Sequence, residues 1–201
     1  MAYTTSGAVG FGIKEVADVG FYKVGEVQVD ATGKVTGTPL FVLDTLKVSN
    51  IENAAEQTEA KGGKGNAPLI IWDYGREVTI TLQDAVLTME TLSMMFEGEA
   101  SDGDEITISA NTFPGTYAVV GKTFARDMNG NDSLFTWYVP KAKVNSEVTL
   151  TMEAEGDPTV FDMTLRVLRD SDGTMVKMIR DTETTADEYK VLEAFGTEAA
   201  G

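Results

Sequence analysis

Apolar side chains recur at every second position through most of the chain, the spacing that places them on one face of an extended strand. Val78, Ile80 and Leu82 alternate with Thr79 and Thr81, and Phe161, Met163, Leu165 and Val167 alternate with Asp162, Thr164 and Arg166. The same period runs through Phe135, Trp137 and Val139, through Val148, Leu150 and Met152, and through Ile106 and Ile108 about Thr107. Each run predicts a strand with one packed face and one turned to water or to a partner. Thr32-Gly33, Asp102-Gly103, Asn129-Gly130 and Asp172-Gly173 fall between runs and supply residues tolerant of positive φ, as a meander needs. The last two predict hairpins, one joining 117–124 to 134–139 and one joining 160–168 to 174–180.

One stretch changes period. Met89, Leu92, Met95 and Phe96 recur at three- and four-residue spacing, which predicts a helix over 88–97 that seals against a sheet. Thr88 is placed as its N-cap, Glu90 favours the dipole in the first turn, and Gly98 is placed to end it. Residues 52–67 carry Ala, polar groups and a Gly-Gly-Lys-Gly run between strands expected at 39–50 and 68–74, and are expected as a long loop or projecting arm. The acidic C-terminal segment, 182–201, holds Tyr189, Val191, Leu192 and Phe195, whose spacing fits a last strand or a short helix equally. No repeat and no Pro/Ser-rich linker divides the chain. The expectation is one mainly β domain over 1–201: a β-sandwich or barrel of antiparallel strands, one short flanking helix and a long projecting loop.

Composition then removes most chemistry. None of the 201 residues is Cys or His, which excludes thiolate metal sites, disulfides, Ser-His-Asp and Cys-His arrangements and imidazole acid–base catalysis. Carboxylate pairs are left, as in glycosidases. The clusters at Asp102/Asp104/Glu105, Glu153/Glu155/Asp157 and Asp187/Glu188 fall at turns or ends, where a solvated charge is the default reading. The Asp127-Met-Asn129-Gly-Asn131-Asp132 spacing begins like a calcium loop, but Tyr138 stands where the bidentate Glu belongs, so a turn is the better reading, as it is at Asp170 and Asp172. Gly62-Gly63-Lys64-Gly65 lacks the frame and the Lys-Ser/Thr ending of a phosphate loop. Trp72, Trp137, Tyr22, Tyr74 and Tyr138 offer a stacking platform, yet aromatics in strand runs more often supply sheet packing. No residue is assigned to catalysis, a cofactor or a metal.

Sixteen basic residues against 32 acidic ones give a net charge of −16, which opposes binding of nucleic acid through its phosphates. The N-terminus, MAYTTSGAVGFGIKEV, has no basic start followed by a long apolar stretch, and no run approaches the ~20 apolar residues of a membrane helix. The expectation is a chain made and used without secretion and without a membrane.

Over residues 51–98, the order strand, turn, strand, short helix, carried by Asn66-Ala-Pro-Leu-Ile-Ile-Trp-Asp-Tyr-Gly-Arg-Glu-Val-Thr-Ile and the run that follows to Phe96, resembles the major tail tube proteins of tailed bacteriophages. The resemblance implies a β-sandwich or barrel that closes into hexameric rings, with a loop reaching the neighbouring ring and the rings stacking into a conduit for DNA. The partners it implies are further copies of this chain, other tail proteins, and DNA that passes the lumen without specific binding. The protein would sit in the virion tail, assembled in the host cytoplasm. Glu56, Gln57, Glu59, Lys61, Gly62, Gly63, Lys64 and Asn66 would then form the intersubunit arm, with no cofactor. The rival readings are another virion component, such as a capsid decoration or head–tail joining protein, and a carbohydrate-binding β-sandwich adhesion module.

Overall fold

The computed structural model describes residues 10–86, 88–96, 106, 110–111, 113–145, 161–181 and 195. Its elements in chain order are β1 (Phe11–Ile13), β2 (Asp18–Lys23), β3 (Gln28–Val29), β4 (Val35–Thr36), β5 (Phe41–Leu43), β6 (Leu46–Gly62) and β7 (Ala67–Asp84). They continue as α1 (Met89–Phe96), β8 (Thr116–Asp127), β9 (Asp132–Val144), β10 (Phe161–Val167) and β11 (Lys177–Asp181). The mainly β, antiparallel reading with one short helix is borne out. The sequence runs about Thr107 and over 148–152, the Asp102-Gly103 turn, the three acidic clusters, Gly98 and the C-terminal segment apart from Phe195 lie outside the described residues.

Nine strands form one sheet in the order β5-β2-β8-β9-β10-β7-β6. The long β8–β9 hairpin is its spine. β2 pairs with residues 117–122 of β8, and β1 continues along the same edge at 125–127. On the far edge, β10 pairs with residues 142–144 of β9 and β11 continues at 134–138. The hairpin expected about Asp172-Gly173 is therefore corrected. A tight turn does form there, with the Gly173 N–H donating to the Asp170 carbonyl at 3.0 Å, but β10 and β11 lie end to end along β9 and not beside each other. The Asn129-Gly130 hairpin forms as expected, with Asp127 Oδ1 accepting the backbone N–H groups of Asn129 and Asn131 at 2.8 and 2.9 Å.

The two terminal strands of the sheet order, β5 and β6, are separated in sequence by only Asp44 and Thr45, so the sheet must roll to bring its ends together. The Thr45 hydroxyl donates to the buried Asp84 carboxylate at 2.5 Å, and the Ala85 N–H donates to the Thr45 carbonyl at 3.2 Å, which ties this corner to the end of β7. No ladder joins β5 to β6, so the roll is open and the closed barrel is not formed.

Inside the roll, Phe21, Ile80, Leu82, Val119, Met163 and Leu165 meet Met94 and Met95 of α1. The helix starts where its cap predicts, the Thr91 N–H donating to Thr88 Oγ1 at 3.1 Å. The outer face of the spine was expected to meet water or a partner, and is instead covered. Tyr22, Ala118, Val120 and Ile179 pack beneath the β3–β4 ribbon and Phe195. Phe195 fills the notch that Gly20 leaves open, since a Cβ there would stand 2.7 Å from its ring, and its carbonyl accepts the Tyr22 hydroxyl at 2.7 Å.

Gly121 does the same for Trp137. The indole lies over it so closely that a Cβ would fall 2.0 Å from a ring carbon. Gly121→Ala is expected to lower stability by about 1–3 kcal/mol through overpacking, read by urea unfolding followed on tryptophan fluorescence.

Lys122, on the covered outer face, is pushed down to about 8 because burial disfavours its charged form, while Asp181 and Asp30 act in the opposite sense. A depressed lysine means that the unfolded chain binds more protons between pH 8 and 10.5, so stability rises with pH through that window. Between pH 7.5 and 9.5 the gain is expected to be about 2 kcal/mol, and Lys122→Met is expected to abolish it in urea titrations at the two pH values.

Candidate assembly surface

The segment expected as a loop or arm is an arm, and it is built from strand. β6 and β7 pair from Leu46 opposite Asp84 to Gly62 opposite Ala67, leaving only residues 63–66 in the turn. Gly63, Gly65 and Asn66 all take positive φ there, at 76°, 95° and 51°, which is why glycine dominates the tip. The Asn66 N–H donates to the Gly63 carbonyl at 3.2 Å. The first buried side chain of β7 is Val78, and every residue of β7 before it is exposed. The eleven residues 67–77 carry the ladder about 35 Å beyond the core at the rise of an extended strand.

A bulge marks the root of the arm. Ala54 faces Glu77 and Glu56 faces Tyr74, so β7 spends one residue more than β6 across this step, and Gly75 sits there at φ 61°. The consequence is a change of face. Val78, Ile80 and Leu82 point into the core opposite Asn53, Ile51 and Ser49, while Thr79 and Thr81 face outward opposite Glu52 and Asn50. Beyond the bulge, Tyr74, Trp72 and Ile70 pair with Glu56, Thr58 and Ala60, which continue the outward series of β6. The apolar alternation of β7 thus crosses from the packed side of the sheet to the open side.

The arm therefore has two unlike faces. One carries Ile70, Trp72 and Tyr74 in a row, each at least half exposed, with Glu56 as the charged residue of the facing strand. The other is partly polar, with the Gln57 amide donating to Asp73 at 2.8 Å and Lys61 paired with Glu59 at 2.9 Å, beside an exposed Ile71. The eight residues proposed from sequence fall along this hairpin: Glu56, Gln57, Glu59, Lys61 and Gly62 on β6, and Gly63, Lys64 and Asn66 in the turn. The sequence reading missed the apolar partners on β7. It assigned Trp72 and Tyr74 to sheet packing, whereas they stand 50% and 53% exposed; Trp137 and Tyr22 do pack as expected, and Tyr138 is half-buried. The signal was available in the partner strand, because the Ala, Thr and Glu of 54–60 give an aromatic row nothing to pack against.

The spine has open edges at one end. Beyond their pairing with β8 and β9, neither β1 nor β11 has a second partner among the described residues. The turn between β8 and β9 is clasped by Arg126, which donates to both oxygens of Asp132 at 2.7 and 2.8 Å, with Lys14 adding a bond at 3.3 Å. These bonds hold the Asp132 carboxyl down at about 2. Phe11 of β1 lies against Phe135 with ring centroids 5.8 Å apart, and the Arg180 guanidinium of β11 sits 4.9 Å from its centroid. Among the described residues, no group of three or more Asp or Glu is disposed to hold a metal ion, and no helix is long and apolar enough to cross a membrane.

A rolled sheet, open strand edges and an arm with an exposed apolar row are the distinctive features of this β scaffold. The chain belongs to the YomU/Tube protein family, whose model matches residues 11–100 and 97–180; this is a family of phage tube-like structural proteins. No curated protein matches the chain.

Because Trp72 packs against nothing in its own core, Trp72→Ser is expected to leave urea-unfolding stability within about 0.5 kcal/mol of the parent. Trp137→Ala in the same assay is expected to lose about 3–5 kcal/mol.

Proposed function

We propose that this protein assembles into stacked hexameric rings that form the tail tube of a bacteriophage, the conduit through which DNA leaves. The observation that carries this reading is the β6–β7 arm, which projects an apolar row that its own fold leaves uncovered. Contiguous exposed apolar surface of this kind marks a site of association. Membership of a phage tube-like family supports a tube, and the number six comes from the tail tube resemblance.

The open edges supply a means of ring closure. β1 runs antiparallel to β8 and β11 antiparallel to β9, so β1 and β11 run antiparallel to each other. The β11 edge of one copy can then take the β1 edge of the next in the same sense as the rest of the sheet. Repeated around an axis, this head-to-tail contact closes a ring without free edges. The arm is left to reach along the axis to the next ring. With 16 net negative charges on each copy, the wall of such a tube repels phosphate, so a duplex passes without being held.

Replacing residues 55–76 with a two-residue Asn-Gly turn joins the paired Ala54 and Glu77 directly, so it removes the arm from both strands at once and keeps the core register. The shortened protein is expected to unfold at the parent's urea midpoint and to form no rods in negative-stain microscopy. Rods of normal length from it would remove the arm from the assembly.

A further inference from the structure

We infer that the apolar row of the arm docks into a groove on a second copy of this chain, lying between the β1–β2 connection and the start of β6. The inference rests on the self-assembly proposed above and names the two surfaces that meet. The groove encloses about 530 Å³ and is lined by Ile13, Val16, Val48, Ile51 and Phe135, with the buried Trp137 at its floor. Ile13, Val16 and Val48 are themselves 54%, 41% and 43% exposed, so the trough presents apolar side chains to solvent within one copy, with Lys14, Glu15 and Lys47 in its polar lining. Its shape follows from the roll. β6 comes back over the packed face of the spine without pairing to β1 or β2, and the unfilled seam between them is the groove.

Charge is compatible with this occupant. Lys47 stands on the rim and makes none of the ion pairs formed among the described residues, whereas Lys14 beside it is held by Glu15 at 3.4 Å and Asp132 at 3.3 Å. On the arm, Glu56 lies on the same face as the apolar row and likewise forms none of those ion pairs, while Glu59 on the other face is matched to Lys61. An apolar row beside the Glu56 carboxylate is thus complementary to a trough with apolar walls and the Lys47 ammonium at its rim. The Trp72 indole and the flanking Ile70 and Tyr74 fill the trough, and Glu56 meets Lys47. Donor and acceptor are different patches of the same chain, so the contact is heterologous and propagates from copy to copy.

The chain has no cysteine, so two introduced thiols report the contact without background. Thr58→Cys and Val48→Cys proteins are purified separately, mixed and oxidised mildly, with Thr58→Cys plus Met128→Cys as the control pair, since Thr58 lies opposite Trp72 on the docking face and leaves the indole in place, while Met128 is 84% exposed and is not part of the groove lining. The expected result is a mixed disulfide at least about tenfold more abundant for the Val48 pair than for the control, as docking raises the effective concentration of the two thiols. Equal yields for the two pairs overturn the docking. Negative-stain images of the parent protein separate this outcome from the tube reading. Rods with equal yields reject the groove alone, equal yields without rods reject both, and a selective cross-link without rods keeps the docking and rejects the tube.

Discussion

Strand pairing carries β6 and β7 well past the core, but it does nothing for side chains that extend beyond the core they grow from. That mismatch between hydrogen-bonded length and apolar cover shapes the molecule. The ladder runs from Asp84 to Ala67, interrupted by three register shifts, so the arm is held as a two-stranded ribbon. Its exposed row is left without cover in a single copy. Covering the remaining surface of three large side chains contributes about 3 kcal/mol per arm at the usual value for apolar burial, enough to organise a repeating contact and weak enough that no single arm decides it.

The body of the fold is built to hold that ribbon at a defined angle. Rolling the sheet places β6 over the packed face of the spine, and Thr45, Asp84 and Ala85 pin the corner where the roll turns. Close contacts at Gly20 and Gly121 let Phe195 and Trp137 sit directly on backbone, so both faces of the spine are filled to high density and the arm has a stiff base. The bulge at Gly75 then sets the outcome at the root. Without the extra residue, the row at 70, 72 and 74 would continue the core-facing series of 78, 80 and 82; with it, the row is presented outward.

Much of the body was legible because a two-residue period reports burial faithfully where one face packs. Val78, Ile80 and Leu82, and Phe161 to Val167, are buried at the predicted positions, and the Thr88 cap starts the helix. Three things were not legible, each for a physical reason. Asp172-Gly173 has the chemistry of a hairpin turn, but turn residues fix only the local bend, and the pairing of β10 and β11 with β9 is decided by the spine. The 52–67 segment has weak strand propensity, and its pairing is imposed by the strong β7 run opposite. Trp72 and Tyr74 share a sequence period with the core residues of β7, and a period cannot show a bulge that carries them to the other side.

The candidate contact also has to contend with charge. Sixteen net negative charges on each copy repel their neighbours at long range, but that repulsion is cut off over about 8 Å in physiological salt, whereas apolar contact and a matched Glu56–Lys47 pair act only on touching. Long-range repulsion opposes indiscriminate clumping, and short-range complementarity rewards only the copy that arrives with its trough aligned to the arm. An arm that was apolar on both faces would adhere in either orientation. The other side is partly polar, with Gln57 bonded to Asp73 and Glu59 to Lys61 around an exposed Ile71. The face change at Gly75 would therefore give the proposed association its direction, since it brings Ile70, Trp72 and Tyr74 onto the same side of the ribbon as Glu56.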